Sequence, residues 1–121
     1  MRRSNIDILI VGGGLFGCMA AVAAKKCGHM PLVIEKRACP GREIAAYGHT
    51  FMRCGSGDAA LRRIPEPFVH LFLQRGGGEV IVPEGLLRQQ LMAVLEVHGI
   101  PYLFEAEAVG VSHADGAVNG L

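Results

Sequence analysis

Gly12, Gly14 and Gly17 stand at G-x-G-x-x-G spacing, and an acid, Glu35, follows 23 residues after the first of them. Each position has a physical reason for its residue type. A glycine at 12 permits a sharp turn out of a strand. A glycine at 14 leaves bare backbone for a pyrophosphate, and one at 17 lets a helix pack close to a sheet. A helix that begins near Leu15 and Phe16 aims unpaired N–H groups and the positive end of its dipole at the phosphates, with the Gly13 backbone in between. A carboxylate at 35 can accept hydrogen bonds from both hydroxyls of a ribose. The chemistry within reach is therefore recognition of a nucleotide by its pyrophosphate and ribose. No catalytic residue can be named.

Such a motif is specific only when a strand precedes it and a helix follows. Ile6 to Val11 is apolar and rich in branched side chains, which predicts a strand buried on both faces. Gly12-Gly13-Gly14 breaks it. The Ala-rich stretch from Leu15 ends at Lys25-Lys26-Cys27-Gly28, a helix stop with basic residues in the last turn and a glycine beyond. Leu32-Val33-Ile34 predicts a second buried strand, closed by Glu35. The order is strand, glycine turn, helix, strand, acid, as the motif requires.

The same run has a competing explanation. Ile8 to Ala24 is uncharged and lies behind Arg2-Arg3, and Leu15-Phe16-Gly17-Cys18 is close to a lipid-attachment box. A span needs roughly 20 apolar residues, and each of three adjacent glycines costs up to about 1 kcal/mol in a helix interior. An export signal is opposed by Asp7, which stands directly at the head of the run, and by Phe16 inside the box. The phosphate cradle is the preferred expectation, and with it a cytoplasmic protein without a membrane span.

Composition agrees. Half of the 121 residues are hydrophobic and the formal net charge is +1, so a packed core is expected and disorder is not. The basic residues are scattered in ones and twos, which leaves no footprint for nucleic acid. The four cysteines, Cys18, Cys27, Cys39 and Cys54, show no C-x-x-C spacing. No metal is expected, and four reduced thiols are preferred over disulfides.

The rest of the chain supplies the supporting elements. Residues 36–82 are expected to form a long loop with helical insertions, one around Glu43 to Tyr47 and one over Phe68 to Arg75, ended by Gly76-Gly77-Gly78. Val80-Ile81-Val82 could form a short strand. Pro83 opens a helix in which Leu87, Leu91, Val94, Leu95 and His98 share one face, with Gly99 as its cap. A third buried strand follows at 100–104. Residues 106–121 are expected to form a hairpin turning at Asp115-Gly116.

The stretch from Asp7 to Arg37, DILIVGGGLFGCMAAVAAKKCGHMPLVIEKR, resembles the N-terminal fingerprint of FAD-dependent oxidoreductases of the glutathione-reductase-like superfamily, with Ala21 and Gly28 matching its further small positions. Residues 82–121 resemble the bacterial group related to the succinate dehydrogenase and fumarate reductase flavoproteins. The resemblance implies an α/β, Rossmann-like FAD/NAD(P)-binding fold with a parallel sheet, incomplete at its C-terminus, with the start of a β-hairpin or meander. It implies FAD as cofactor, with the backbone from Gly13 to Gly17, after the turn at Gly12, on the pyrophosphate and Glu35 on the adenosine ribose. Lys36 would flank the ribose, and a backbone contact to adenine would fall at or beside Ala108. The chain departs from the family at Gly41-Arg42-Glu43, where a second glycine is usual; Arg42 could pair with a phosphate oxygen or with a surface carboxylate. Gly48-His49-Thr50 is similar to the stretch where some relatives attach flavin through histidine, but its spacing from Glu35 is longer, which favours a polar loop histidine.

The family's later flavin-side motifs and its substrate domain are not among these 121 residues, so the chain is expected to be the N-terminal part of a larger flavoprotein. Its substrate is unknown, and the open edge of the hairpin could support self-association. The alternative is a module that binds NAD or an adenine nucleotide without catalysis of its own.

Overall fold

The computed structural model describes residues 5–41, 51–53, 66–71, 73–76, 79–81 and 84–120. Strand β1 (Ile8–Val11) leads through the glycine turn into helix α1 (Leu15–Lys26), which returns to β2 (Pro31–Glu35). Helix α2 (Glu84–Val97) later leads into β6 (Tyr102–Phe104). The three strands are parallel in the order β1-β2-β6. Val11 lies opposite Ile34, and Glu35 opposite Phe104, so the carboxyl ends of all three strands meet at one edge of the sheet. This is the strand–helix–strand architecture of a Rossmann-like fold, and ligands of such sheets bind at that edge.

Both helices stop as their sequences predict. In α1 the amide of His29 donates to Ala24 O and that of Gly28 to Lys25 O. In α2 the amide of Ile100 donates to Leu95 O and that of Gly99 to Glu96 O. These are paired Schellman closures, each with a left-handed glycine as the first residue past the cap.

The core forms where the two helices meet the sheet. Leu15, Cys18, Ala21 and Val22 of α1 pack with Leu87, Leu91, Val94 and Leu95 of α2, over Val33 and with Phe68 and Ile100. Ile10 and Tyr102 border this cluster from the sheet. Residues of the opposite parity stay open, with Leu9 36%, Val11 60% and Leu103 50% exposed. The expectation of strands buried on both faces is corrected here: α1 and α2 pack on the face carrying Ile10 and Val33, and the other face remains accessible. Among the described residues no helix is long and apolar enough to cross a membrane.

The middle of the chain differs most from its expectation. The helix expected over 68–75 is a short 3-10 turn, Phe68–Leu71, followed by strand β4 (Leu73–Gly76). A second sheet joins β4, β5 (Glu79–Ile81) and β3 (Phe51–Arg53), antiparallel in the order β3-β5-β4. The glycine run thus joins two paired strands instead of ending a helix. A short apolar run does not distinguish strand from helix by periodicity, and here pairing with β5 decides. The helical piece expected at 43–47 lies outside the described residues. Strands β7 (Ser112–Ala114) and β8 (Ala117–Gly120) form the expected hairpin, with positive φ at both Asp115 and Gly116, as a two-residue turn demands.

Leu91 is fully buried between the helices. Leu91→Ala is expected to lower unfolding free energy by about 2–5 kcal/mol in urea titration, the range for a truncated core leucine. Leu86→Ala, at a half-exposed position of the same helix, should cost less than about 1 kcal/mol.

Candidate nucleotide site

The site is assembled at the carboxyl edge of the parallel sheet. As β1 ends, the Gly12 amide donates to Ile34 O at 2.7 Å, and the backbone swings through a φ of 106° that only glycine adopts readily. The chain then enters α1 so steeply that a Cβ at Gly17 would collide with the carbonyl oxygen of Gly12. The helix therefore sits directly on the turn. Its N-cap is Gly14, which gives no side-chain cap, and its first turn carries no acidic residue.

Glu35 closes β2 with its carboxylate fixed at both oxygens. Oε2 accepts from the Gly13 amide at 2.7 Å and Oε1 accepts from the Arg37 amide at 2.9 Å. A carboxylate has about four acceptor sites, so capacity for a ligand's hydroxyls remains. The strand's end is tied in turn to the segment after β6. Ala106 donates to Glu35 O at 3.2 Å and Glu105 donates to Arg37 O at 3.1 Å, the chain bending at Glu105 with φ 55°.

These bonds frame a cleft of about 250 Å³. Val11 and Gly12 form its β1 side, Ile34, Glu35 and Lys36 its β2 side, and residues 106–108 its third side. Lys36 Nζ lies 3.9 Å from Glu107 Oε1, both side chains being largely exposed. On the other side of the turn, the amide of Gly41 donates to Gly13 O at 3.0 Å, and Cys18 Sγ lies 3.7 Å from the same oxygen.

The structure gathers Gly12, Glu35, Lys36 and Ala108 around one cleft, with Gly13 bonded to Glu35. Gly14, Leu15, Phe16 and Gly17 lie at the adjoining helix start; Leu15 turns its side chain into the core, whereas Phe16 is 71% exposed. Arg42 and His49 lie outside the described residues. Glu107 and Gly41 carry roles that motif spacing does not announce. Glu107 is placed by sheet register, which the sequence does not carry: the residue opposite Glu35 is Phe104, and the chain runs on from there past the same edge. Among the described residues no group of three or more His, Cys, Asp or Glu side chains could hold a metal.

Comparison with known proteins gives a consistent picture. The family model described as FAD dependent oxidoreductase matches residues 7–121. A digeranylgeranylglycerophospholipid reductase of Methanoculleus marisnigri is 40% identical over 55 residues, which is 46% of this chain and 12% of that protein. The fold is similar to that of THI4 from Thermovibrio ammonificans, with a TM-score of 0.65 and 19% identity, over 95% of this chain and 45% of that one. It is also similar to a geranylgeranyl bacteriochlorophyll reductase-like protein of Thermoplasma acidophilum, with a TM-score of 0.62 and 22% identity, over 93% of this chain and 33% of that one. The chain thus spans less than half the length of each relative. With a glycine turn between the first strand and helix, an acid at the tip of the second strand and a family match across nearly its full length, the chain belongs to the FAD dependent oxidoreductase family, with FAD as its cofactor.

Proposed function

We propose that this chain holds the ADP half of FAD for an oxidoreductase whose substrate is bound by other sequence. The residues present fit the group. The backbone of Gly12 to Gly17, with the start of α1 at Leu15 and Phe16, would hold the pyrophosphate. Glu35 would accept the adenosine ribose hydroxyls. Lys36 and the backbone at Ala108 would flank the adenosine. When bound, the flavin supplies reversible transfer of electron pairs; this chain's residues bind and orient its nucleotide end. The observation that carries the reading is the Glu35 carboxylate, pinned by two backbone amides at the wall of a cleft beside the glycine turn.

NAD is the second reading, since the same cradle and acid serve both dinucleotides. FAD is favoured because the chain after β2 runs through a separate antiparallel sheet before α2 and β6, and then into a hairpin, instead of repeating strand and helix at once. One fold hosts many reactions, so the cradle is read as binding the nucleotide and other sequence as choosing the reaction. The hairpin's exposed β8 offers an edge for self-association, measurable as a concentration-dependent sedimentation coefficient.

The test is titration of the purified chain with FAD, ADP and NAD in parallel, with circular dichroism to establish folding. Saturable FAD binding, competed by ADP and not by riboflavin, is the expected result. Binding competed by riboflavin and not by ADP would overturn the assignment of this cleft.

A further inference from the structure

Among the described residues Lys36 is the sole cationic side chain lining the cleft, and it is turned toward Glu107, 3.9 Å away. Glu35 lines the same space. The cleft therefore presents two carboxylates and one lysine, and that lysine is engaged across the mouth. At both positions the side chain is more than half exposed, so the pair adds little to stability. Its consequence is electrostatic selection. A cation next to the ribose-binding acid is the kind of group that accommodates a phosphate on the 2′ position of adenosine. Lys36 has the right place in the chain for that task, directly after Glu35.

We propose that Glu107 is a specificity-determining residue of the nucleotide cleft. By pairing with Lys36 it withholds that cation from a ribose phosphate, and by its own charge it repels one. The cleft consequently selects adenosine with free ribose hydroxyls over 2′-phosphorylated adenosine. Lys36 is the positioning partner: without it, removal of Glu107 frees no cation. This inference rests on the adenosine reading of the cleft.

The experiment compares ADP with 2′-phospho-ADP, which differ only in the 2′ phosphate, by calorimetry on the wild-type chain, Glu107→Gln, Lys36→Gln and the double variant. Wild type should prefer ADP. Glu107→Gln should bind 2′-phospho-ADP about fivefold more tightly, the size of one unit-charge interaction at ~4 Å in water, with a smaller change in ADP affinity. The double variant should lose most of that gain, and about 0.5 M salt should shrink it, because the pair faces solvent. An unchanged preference in Glu107→Gln, with ADP still bound, would overturn this inference alone. A gain undiminished in the double variant would overturn the part assigned to Lys36. A folded wild-type chain that binds neither nucleotide would overturn the adenosine reading and this inference with it.

Discussion

Gly17→Ala is expected to destabilise the chain by about 3 kcal/mol or more, although alanine is the better helix former. The propensity gain of roughly 1 kcal/mol is opposed by a collision between the new methyl group and the carbonyl oxygen of Gly12. That oxygen belongs to backbone and cannot rotate away like a side chain. The turn is also anchored on both sides, by Gly12 N to Ile34 O and by Gly41 N to Gly13 O. Either α1 must lift from the turn, separating Leu15 and Cys18 from the core they join, or the turn must give up those bonds. Overpacking usually costs about 1–3 kcal/mol, and a backbone obstacle places this case at or above the top of that range. Gly28→Ala is the control. It has open space around the added Cβ but a φ of 86°, so it should cost about 1–2 kcal/mol through backbone strain alone. Urea denaturation of both variants checks the ordering. Equal stability of Gly17→Ala and wild type would mean that α1 does not press on the turn.

The part of the molecule legible in the sequence is the part governed by local rules. Gly12 to Gly17, the Lys25–Gly28 helix stop and the Asp115-Gly116 turn each place a backbone demand on particular residue types. Such demands can be read one residue at a time, and α1, β2 and the hairpin follow from them. Of the antiparallel sheet only β5 was legible, as the short strand expected at Val80-Ile81-Val82; β3 was not, because Phe51–Arg53 is a strand only by virtue of Glu79–Ile81, more than twenty residues away. The one-sided burial of the parallel sheet has the same origin. Branched apolar residues in β1 announce a strand but do not state which of its faces a helix covers. At the cleft, the glycines and Glu35 were legible by spacing. Glu107 was not, since its closeness to Lys36 follows from the parallel register of β2 and β6 and the bend at Glu105.

Glu35→Ala is expected to lower FAD and ADP affinity by at least about 100-fold, because the proposed reading has two hydrogen bonds from ribose hydroxyls to an ionised acceptor lost together, each worth roughly 1.5–3 kcal/mol. Affinity for FMN, which lacks adenosine, should be unaffected by the same change. The residue has a second task that must be separated from the first. Its carboxylate also accepts from the Gly13 and Arg37 amides, so truncation leaves two partly buried backbone donors to find water or go unpaired. Unfolding measured without ligand should therefore show a loss of about 1–3 kcal/mol. Glu35→Gln divides the two tasks. Its single acceptor oxygen and its amide donor cannot serve both backbone N–H groups, and it offers no charge to the ribose. It should fall between wild type and alanine in both stability and affinity. If Glu35→Ala lost stability while ADP affinity held, the carboxylate would be a staple between the glycine turn and β2, and the ribose would have to be held by another residue.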